Sequence, residues 1–299
     1  MTTAELVVDS RCTLGEGILW DARRDALLWT DIERSMLWLH HTDDGSTRTW
    51  RLPDRLGSFA LCESGKLLLA LAKGLYLADI DRPSEAELAV TLLVPLEIDL
   101  MSMRTNDGRT DRAGNFVFGT MNEHPDKAPI GTFFQYSIRH GLRPLALGGV
   151  AIPNSICFSP DGGTMYFCDS TSGRILQCRY DGESATVSDF TVFVEFGPGR
   201  GLPDGSVIDA DGCLWNAEWG AAMVRRYTTG GTIEREIAVP AKNPTCPVFG
   251  GRDLTELYVT SARQELTAQE LAARPDAGGV YRAQPDGVRG LPEARFRDA

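Results

Sequence analysis

The chain has 299 residues, of which 42% are hydrophobic and 24% are charged, as in an ordinary soluble globular protein. Its formal net charge of −11 argues against a nucleic-acid partner, because that binding depends on Lys and Arg contacts to phosphates. No apolar run approaches the roughly 18 residues of a membrane span, so we expect no membrane partner either.

The N-terminus and the cysteines both favour a cytoplasmic location. The opening segment, MTTAELVVDSRCTLGEG, lacks the basic region and apolar core of a secretory signal. The seven cysteines are odd in number and irregular in spacing, which predicts reduced core residues rather than a disulfide framework. Neither they nor the four histidines show the spacing of a metal site.

Strand patterns run along the whole chain and predict an all-β fold. Short apolar runs alternate with Gly, Asp, Asn and Pro turns; in chain order the clearest are DALLWTDI, KLLLALAKGLYLADI, GNFVFGTM, TMYFCDS, CLWNAEW and ELYVTSA. Only LTAQELAA, from Leu266 to Ala273, predicts a helix.

The strands recur as a repeated unit, which begins with a polar entry residue and continues through a strand, a turn and further strands. The landmarks of successive units lie 42 to 50 residues apart, at Glu16, Ser58, Asn106, Asn154, Asp204 and Pro247. Six units of about four strands each predict a six-bladed β-propeller with four-stranded antiparallel blades around a central channel. We expect residues 1–299 to form one domain. The segment AELVVDS, residues 4–10, is a candidate to complete the last blade, although the sequence does not settle this.

The start of each innermost strand is predicted to open on one mouth of the channel. A ring of Glu16, Ser58, Asn106, Asn154 and Asp204 would therefore form a polar pocket there. The Asp-Gly pairs that begin at residues 107, 161 and 211 are interpreted as ordinary turns.

Glu16, Asn154 and Asp204 offer two carboxylates and a carboxamide, which are the donors that a hard divalent cation prefers. So few protein ligands would leave exchangeable positions, as a catalytic metal requires. Each residue also has a structural interpretation: Asp204 in a Pro-Asp-Gly turn, Asn154 as a cap, and Glu16 as an exposed loop carboxylate. The coincidence of three blades favours the cation site.

Five segments, taken in order, are similar to a known family: LGEGILWD, RTNDGRTDRAGNFVFGTM, IPNSICFSPDG, LPDGSVIDADGCLW and PVFGGRDLTELYVTSAR followed by AGGVY. Together they resemble the regucalcin/gluconolactonase (senescence marker protein-like) family of six-bladed propellers, from about residue 10 to 283. The resemblance implies a divalent-metal-dependent hydrolase that opens sugar lactones.

By position, the resemblance implies that Glu16, Asn154 and Asp204 are the metal ligands. Asp204 would also activate water as the general base while the metal polarises the lactone carbonyl. One divalent cation is implied, with Ca²⁺ the first expectation; the oxygen ligands also admit Zn²⁺, Mn²⁺, Mg²⁺ and Fe²⁺.

The resemblance also implies substrate contacts by Arg104 and Asn106, and by Glu123 at a further substrate-side position. One residue departs from the family pattern: Ser155 follows the metal-binding Asn where the family usually has Gly. The loop at residues 122–130 is expected to shape substrate choice. The sequence selects neither the aldonolactone nor its ring size.

Three other functions remain open at this point. The same site could serve a non-catalytic, regulatory cation-binding propeller, but Arg104 and Asn106 favour an enzyme. A related esterase acting on a non-sugar ester would need an apolar pocket. A protein-interaction propeller of the WD type would repeat dipeptides that are not repeated here. We expect a monomer or a weak oligomer whose partner is a small sugar lactone.

Overall fold

The computed structural model describes residues 2–82, 87–96 and 102–299, and these are almost entirely β. Six sheets of antiparallel strands surround a central channel, and their innermost strands contact one another in a closed cycle. The predicted six-bladed β-propeller is therefore confirmed. Within the described ranges, no helix has the length and apolar character needed to cross a bilayer.

Within each blade the strands follow chain order from the channel outwards, except for the strands that the N-terminal segment adds to blades 5 and 6. The N-terminal segment forms β1 (Thr2–Thr3) and β2 (Glu5–Val8). Blade 1 contains β3 (Gly15–Asp21), β4 (Ala26–Asp31), β5 (Met36–His41) and β6 (Thr47–Arg51), and blade 2 contains β7 (Leu56–Leu61), β8 (Leu67–Leu71), β9 (Gly74–Ala78) and β10 (Val90–Pro95). Blade 3 contains β11 (Met103–Thr110), β12 (Phe116–Asn122), β13 (Phe133–Ser137) and β14 (Gly141–Pro144). Blade 4 contains β15 (Pro153–Phe158), β16 (Thr164–Asp169), β17 (Arg174–Asp181) and β18 (Thr186–Glu195). Blade 5 contains β19 (Leu202–Ile208), β20 (Leu214–Trp219), β21 (Met223–Tyr227) and β22 (Ile233–Ala238). Blade 6 contains β23 (Asn243–Gly250), β24 (Glu256–Ala262) and β25 (Val280–Ala283).

The N-terminal segment closes the ring. Strand β2 pairs antiparallel with β25 and so supplies the outermost strand of blade 6. Strand β1, which the sequence did not predict, adds a short parallel fifth strand to blade 5 beside β22. The pairing of β2 with β25 covers the edge of β25 with main-chain hydrogen bonds.

The second strands of the blades are buried on both faces, since each sheet is packed between two neighbours. All six residues of β4 and all five of β8 are buried, which explains their continuous rather than alternating apolar sequences. All seven cysteines are buried and unbonded, as the sequence predicted. The predicted helix is also present, as α1 (Ala268–Ala273), and begins after Thr267 in a capping box with Glu270.

Every innermost strand carries a β-bulge near its start. In blade 1 the pairing shifts between Glu16 and Leu19, in blade 4 between Asn154 and Cys157, and the other four blades show the same extra residue. A bulge turns successive side chains in new directions and frees main-chain N–H groups. The bulges therefore direct side chains of several blades into the channel.

The C-terminal segment crosses the opposite end of the channel. Gly290 forms a bridge with Asp209 at the end of β19, and Phe296 forms one with Cys62 just past the end of β7. Between these points Glu293 makes an ion pair with Arg109 of β11, at 3.0 Å. We call the end where the innermost strands begin the upper mouth and the end under residues 290–298 the lower mouth.

Candidate active site

The upper mouth leads into a cavity of about 190 Å³. Its base is polar, and five of the residues singled out from the sequence line it: Glu16, Arg104, Asn106, Asn154 and Asp204. These residues come from four blades and are separated by up to 188 positions in the chain. The propeller thus brings them together as the repeat predicted.

Two of these side chains, Glu16 and Asp204, are neighbouring carboxylic acids that influence each other's pKa. Burial, followed by the charge of Asp107, raises the pKa of Glu16 to about 8. Burial, followed by the charges of Glu16 and Asp107, raises the pKa of Asp204 well above its ordinary value. The charge of Arg104 and a main-chain hydrogen bond from Gly17 act in the opposite direction on Glu16 but do not outweigh these effects.

Asp107 is a third channel carboxylate, and its assignment to a turn was wrong. It lies within β11, where its two oxygens accept hydrogen bonds of 2.8 Å from the main-chain N–H groups of Gly108 and Ile156. Burial raises its pKa. The Asp-Gly pair resembled a turn locally, but the bulge of β11 places it inside the channel. The other two pairs, at residues 161 and 211, do lie in turns.

Asn106 connects the two halves of the polar base. Its Oδ1 accepts a 2.7 Å hydrogen bond from Nη1 of Arg104, and its Nδ2 donates to Pro153 O at 2.9 Å and to Asn154 Oδ1 at 3.2 Å. Asn154 in turn donates from Nδ2 to Oγ of Ser170 at 2.9 Å. The amide orientations are thereby fixed, and Asn154 directs its oxygen towards Asn106.

Glu123 lies behind Arg104 rather than on the cavity surface. Both of its oxygens accept hydrogen bonds from Arg55, at 2.6 and 2.7 Å, and Oε1 is 3.4 Å from Nε of Arg104. The hydrogen bonds from Arg55 and the charge of Arg104 lower the pKa of Glu123 although its burial raises it. Arg55, which the sequence did not single out, is thus part of the support for Arg104.

The upper wall of the cavity is more apolar than the predicted ring of polar residues. It is formed largely by Leu14, Met121, Ile152, Leu202 and Trp219. Lys127 comes from the loop at residues 122–130, and Gln264 and Glu265 come from the segment after β24. A ligand in this cavity would therefore meet oxygen donors and Arg104 below and apolar groups above.

Two landmarks of the repeat, Ser58 and Pro247, do not reach the cavity, so the predicted ring is incomplete. In blade 2 the bulge residue is Gly57, which lies against the Thr105 main chain where a Cβ would be 2.5 Å from the carbonyl oxygen. In blade 6 the bulge precedes Pro247, and Thr245 uses its hydroxyl to bind Gly15 O. In these two blades the bulge residues pack against neighbouring blades and do not line the cavity.

The fit of a cation rests on the chemistry of the donors. The described ranges hold no cluster of three or more His, Cys, Asp or Glu side chains placed to bind an ion. Glu16 and Asp204 supply only two such groups, and the third donor, the Asn154 oxygen, is an amide. Two converging carboxylates whose pKa values are raised by burial and mutual repulsion are nevertheless a setting that a divalent cation relieves.

Comparison with known proteins agrees with this site. The model of the SMP-30/Gluconolactonase/LRE-like region matches residues 14–263. An L-arabinolactonase of Azospirillum brasilense is 43% identical over 297 residues, which cover 98% of this chain and 95% of that protein. A 6-deoxy-6-sulfogluconolactonase of Pseudomonas putida is 35% identical and covers 98% of both chains.

Among solved structures, a calcium-binding protein, regucalcin, from Agrobacterium tumefaciens superposes with a TM-score of 0.91 at 32% identity, covering 99% of this chain and 98% of that one. The matches extend over the whole propeller rather than over one motif. The chain belongs to the SMP-30/gluconolactonase family.

Proposed function

We propose that the protein hydrolyses a sugar lactone to the corresponding aldonic acid at its upper mouth, with one divalent cation held by Glu16, Asn154 and Asp204. The observation that carries this proposal is the convergence of two acids, Glu16 and Asp204, with Asn154 and Arg104 on the lining of one cavity. The lactonases named above, which match nearly the full length of the chain, support the reaction class.

A lactone is a cyclic ester, so its hydrolysis needs a polarised carbonyl, a nucleophilic water and stabilisation of the negative charge that develops. A divalent cation bound by these oxygen donors supplies Lewis acidity and makes water a better nucleophile. Asp204 accepts the proton of the attacking water through its carboxylate. A positioned base of this kind typically contributes about 10²- to 10⁴-fold in rate.

Arg104 and Asn106 orient the substrate. The Arg104 guanidinium stays protonated and can donate hydrogen bonds to hydroxyl and carbonyl oxygens of the sugar. Asn106 holds Arg104 through Nη1 and touches Asn154, so the substrate-facing arginine and a proposed cation ligand share one support. Glu123 keeps Arg104 in place from behind, together with Arg55.

The substrate is proposed to be an aldonolactone, with L-arabinolactone the first to test because of the 43% identical relative. The polyol chain would face the polar base and the carbon skeleton would lie against Trp219 and Leu202. A second candidate function, cation binding without catalysis, is favoured by the regucalcin likeness, since that solved structure is named a calcium-binding protein.

One experiment tests the proposal against both alternatives. The protein is stripped with a chelator, and acid release is followed on aldonolactones and on p-nitrophenyl acetate while Ca²⁺, Zn²⁺, Mn²⁺, Mg²⁺ and Fe²⁺ are added back singly. Spontaneous ring opening is subtracted. We expect cation-dependent opening of at least one sugar lactone, at a rate that exceeds cleavage of the aryl ester.

Cation binding without turnover of any lactone would favour the non-catalytic function. Preferential cleavage of the aryl ester would favour the esterase, which the apolar upper wall makes a real competitor. Lactone opening that survives exhaustive chelation would contradict the role of the cation.

A further inference from the structure

Ser155 lies directly after Asn154 and has an unusual backbone conformation. Its φ is +59°, in the left-handed region, where a residue with a Cβ carries a conformational cost that glycine does not. The equivalent place in blade 1, directly after Glu16, has the same φ of +59° and is occupied by Gly17. Blade 4 thus has a serine where blade 1 has the unstrained residue.

The serine hydroxyl makes a contact that glycine could not make. Oγ of Ser155 donates a 2.6 Å hydrogen bond to the main-chain carbonyl oxygen of Asp204, in the neighbouring blade. Oγ of Ser155 itself accepts hydrogen bonds from Asn216 Nδ2 at 3.1 Å and from Ser206 Oγ at 3.0 Å. Ser155 and Asn216 have no solvent exposure.

Asn216 secures the other side of the same carbonyl group. Its Nδ2 lies 2.9 Å from Asp204 O, 3.2 Å from Gly205 O and 3.0 Å from Ser206 Oγ. The main chain of Asp204 is therefore held by two buried side chains, one of which belongs to the residue next to Asn154. A single hydroxyl links two of the proposed cation ligands across the boundary between blades 4 and 5.

We propose that Ser155 is a positioning residue: its hydroxyl fixes the Asp204 main chain, and through it the Asp204 carboxylate, relative to Asn154. This inference rests on the proposed function, because its consequence is a cation site with a set ligand spacing. Groups that orient metal ligands from behind typically change metal affinity by roughly 10- to 100-fold when they are removed.

The test compares Ser155→Gly and Ser155→Ala with wild type, using Mn²⁺ as the probe. Both variants lose the hydroxyl, so we expect Mn²⁺ affinity to fall by roughly 10- to 100-fold in each. Only Ser155→Gly also relieves the left-handed strain, so its Tm should stay closer to wild type than that of Ser155→Ala. A merely structural role would instead lower Tm and leave Mn²⁺ affinity unchanged.

Ser35→Gly is the matched control. Ser35 also has a left-handed backbone, with φ of +50°, but lies in the turn between β4 and β5. This variant should gain the same relief of strain while Mn²⁺ affinity stays as in wild type.

Amide hydrogen exchange in the chelated protein separates this inference from the proposed function. Ser155→Gly should speed exchange at the 204–206 main chain whether or not a cation binds. Unchanged exchange there, or unchanged Mn²⁺ affinity in both variants, overturns the inference while the function stands. If wild type itself binds no Mn²⁺ or other divalent cation, the proposed function fails, and the role of Ser155 in spacing its ligands fails with it.

Discussion

The two mouths of the channel treat buried charge in opposite ways. At the upper mouth, Glu16, Asp107 and Asp204 lie near one another, and burial with mutual repulsion raises the pKa of Glu16 and of Asp204. At the lower mouth, Arg109 is paired with Glu293, and their side chains are only 9% and 11% exposed. The upper mouth therefore has an excess of buried carboxylates, whereas the buried carboxylate of the lower mouth is paired with an arginine.

Two further acids near the lower mouth are also paired with arginines. Asp209 accepts hydrogen bonds from Trp215 Nε1 at 2.9 Å and Arg226 Nε at 2.7 Å. At the end of β3, burial raises the pKa of Asp21, but hydrogen bonds from Arg295 and Arg24 outweigh it and lower that pKa.

The difference separates scaffold from site. Like charges held close together cost stability, and the proposed cation would offset that cost at the upper mouth. Paired charges at the other mouth need no ligand, and they hold the C-terminal segment across the channel. Variants at either end of the channel test this difference.

The largest expected effect is on catalysis at the upper mouth. Asp204→Asn keeps the size of the side chain but removes the base, so kcat on the best lactone should fall by about 10²- to 10⁴-fold. Its Tm without cation should not fall, because a repelled buried acid becomes neutral. Asp161→Asn, in the exposed turn of blade 4, is the control and should behave as wild type. Wild-type kcat in Asp204→Asn would rule out Asp204 as the base.

Breaking the lower mouth should affect folding and not chemistry. Glu293→Ala leaves Arg109 buried without its partner, and loss of one member of a buried pair typically costs about 3 to 5 kcal/mol in the free energy of unfolding. Denaturant unfolding measures that loss, and kcat at a temperature where the variant is folded should stay within about twofold of wild type. A variant as stable as wild type would show that the ion pair does not hold the C-terminal segment.

The sequence was sufficient for the ring of blades because the repeat is local: each unit carries its own turns and apolar strands. It was not sufficient for the ends of the channel. The ion pair between Arg109 and Glu293 joins residues 184 positions apart, and no local pattern marks it. The N-terminal strand was a candidate to close the ring, and only its pairing with β25 decided the matter.

Within the site, the sequence predicted which residues converge on the cavity but not the third carboxylate. Glu16, Asn154 and Asp204 follow from the repeat, whereas Asp107 depends on the bulge register of β11. A bulge is set by pairing between strands, so the local Asp-Gly signal suggested a turn. The same limit explains why Ser58 was included in the ring although Gly57 takes up the bulge in blade 2.

A pH series tests the excess of acid at the upper mouth without changing any residue. In the folded protein without cation, burial raises the pKa of Glu16 to about 8 from the ordinary value of about 4.5 that applies in the unfolded chain. The folded state therefore binds more protons than the unfolded chain between these two pKa values. The contribution of protonated Glu16 to the free energy of unfolding should be lost as pH rises from about 4.5 to about 8.

Urea unfolding at several pH values, with chelator present, measures this loss. Glu16→Gln does not titrate and should show a shallower decline than wild type. Parallel curves of unfolding free energy against pH for the two proteins would mean that the pKa of Glu16 is not raised in the folded state.

The smallest expected effect concerns the link between substrate and cation residues. Asn106→Ala removes the hydrogen bonds to Arg104 and to Asn154, so Arg104 is less well oriented. We expect kcat/KM to fall roughly tenfold, mainly through KM, because hydrogen bonds to a charged group are worth about 1.5 to 3 kcal/mol and some are replaced by water. Steady-state kinetics on the best lactone measure this. Unchanged kcat and KM would show that Asn106 does not help to orient the substrate.

The most direct test of the central claim is a calorimetric titration of divalent cation into chelator-stripped protein at pH 7.5. Wild type and Glu293→Gln should each bind one cation per chain, with release of protons from the acid pair, and Glu16→Gln should lose that binding. Equal binding by all three proteins, or none by wild type, would contradict the assignment of Glu16 and Asp204 at the upper mouth to a cation site.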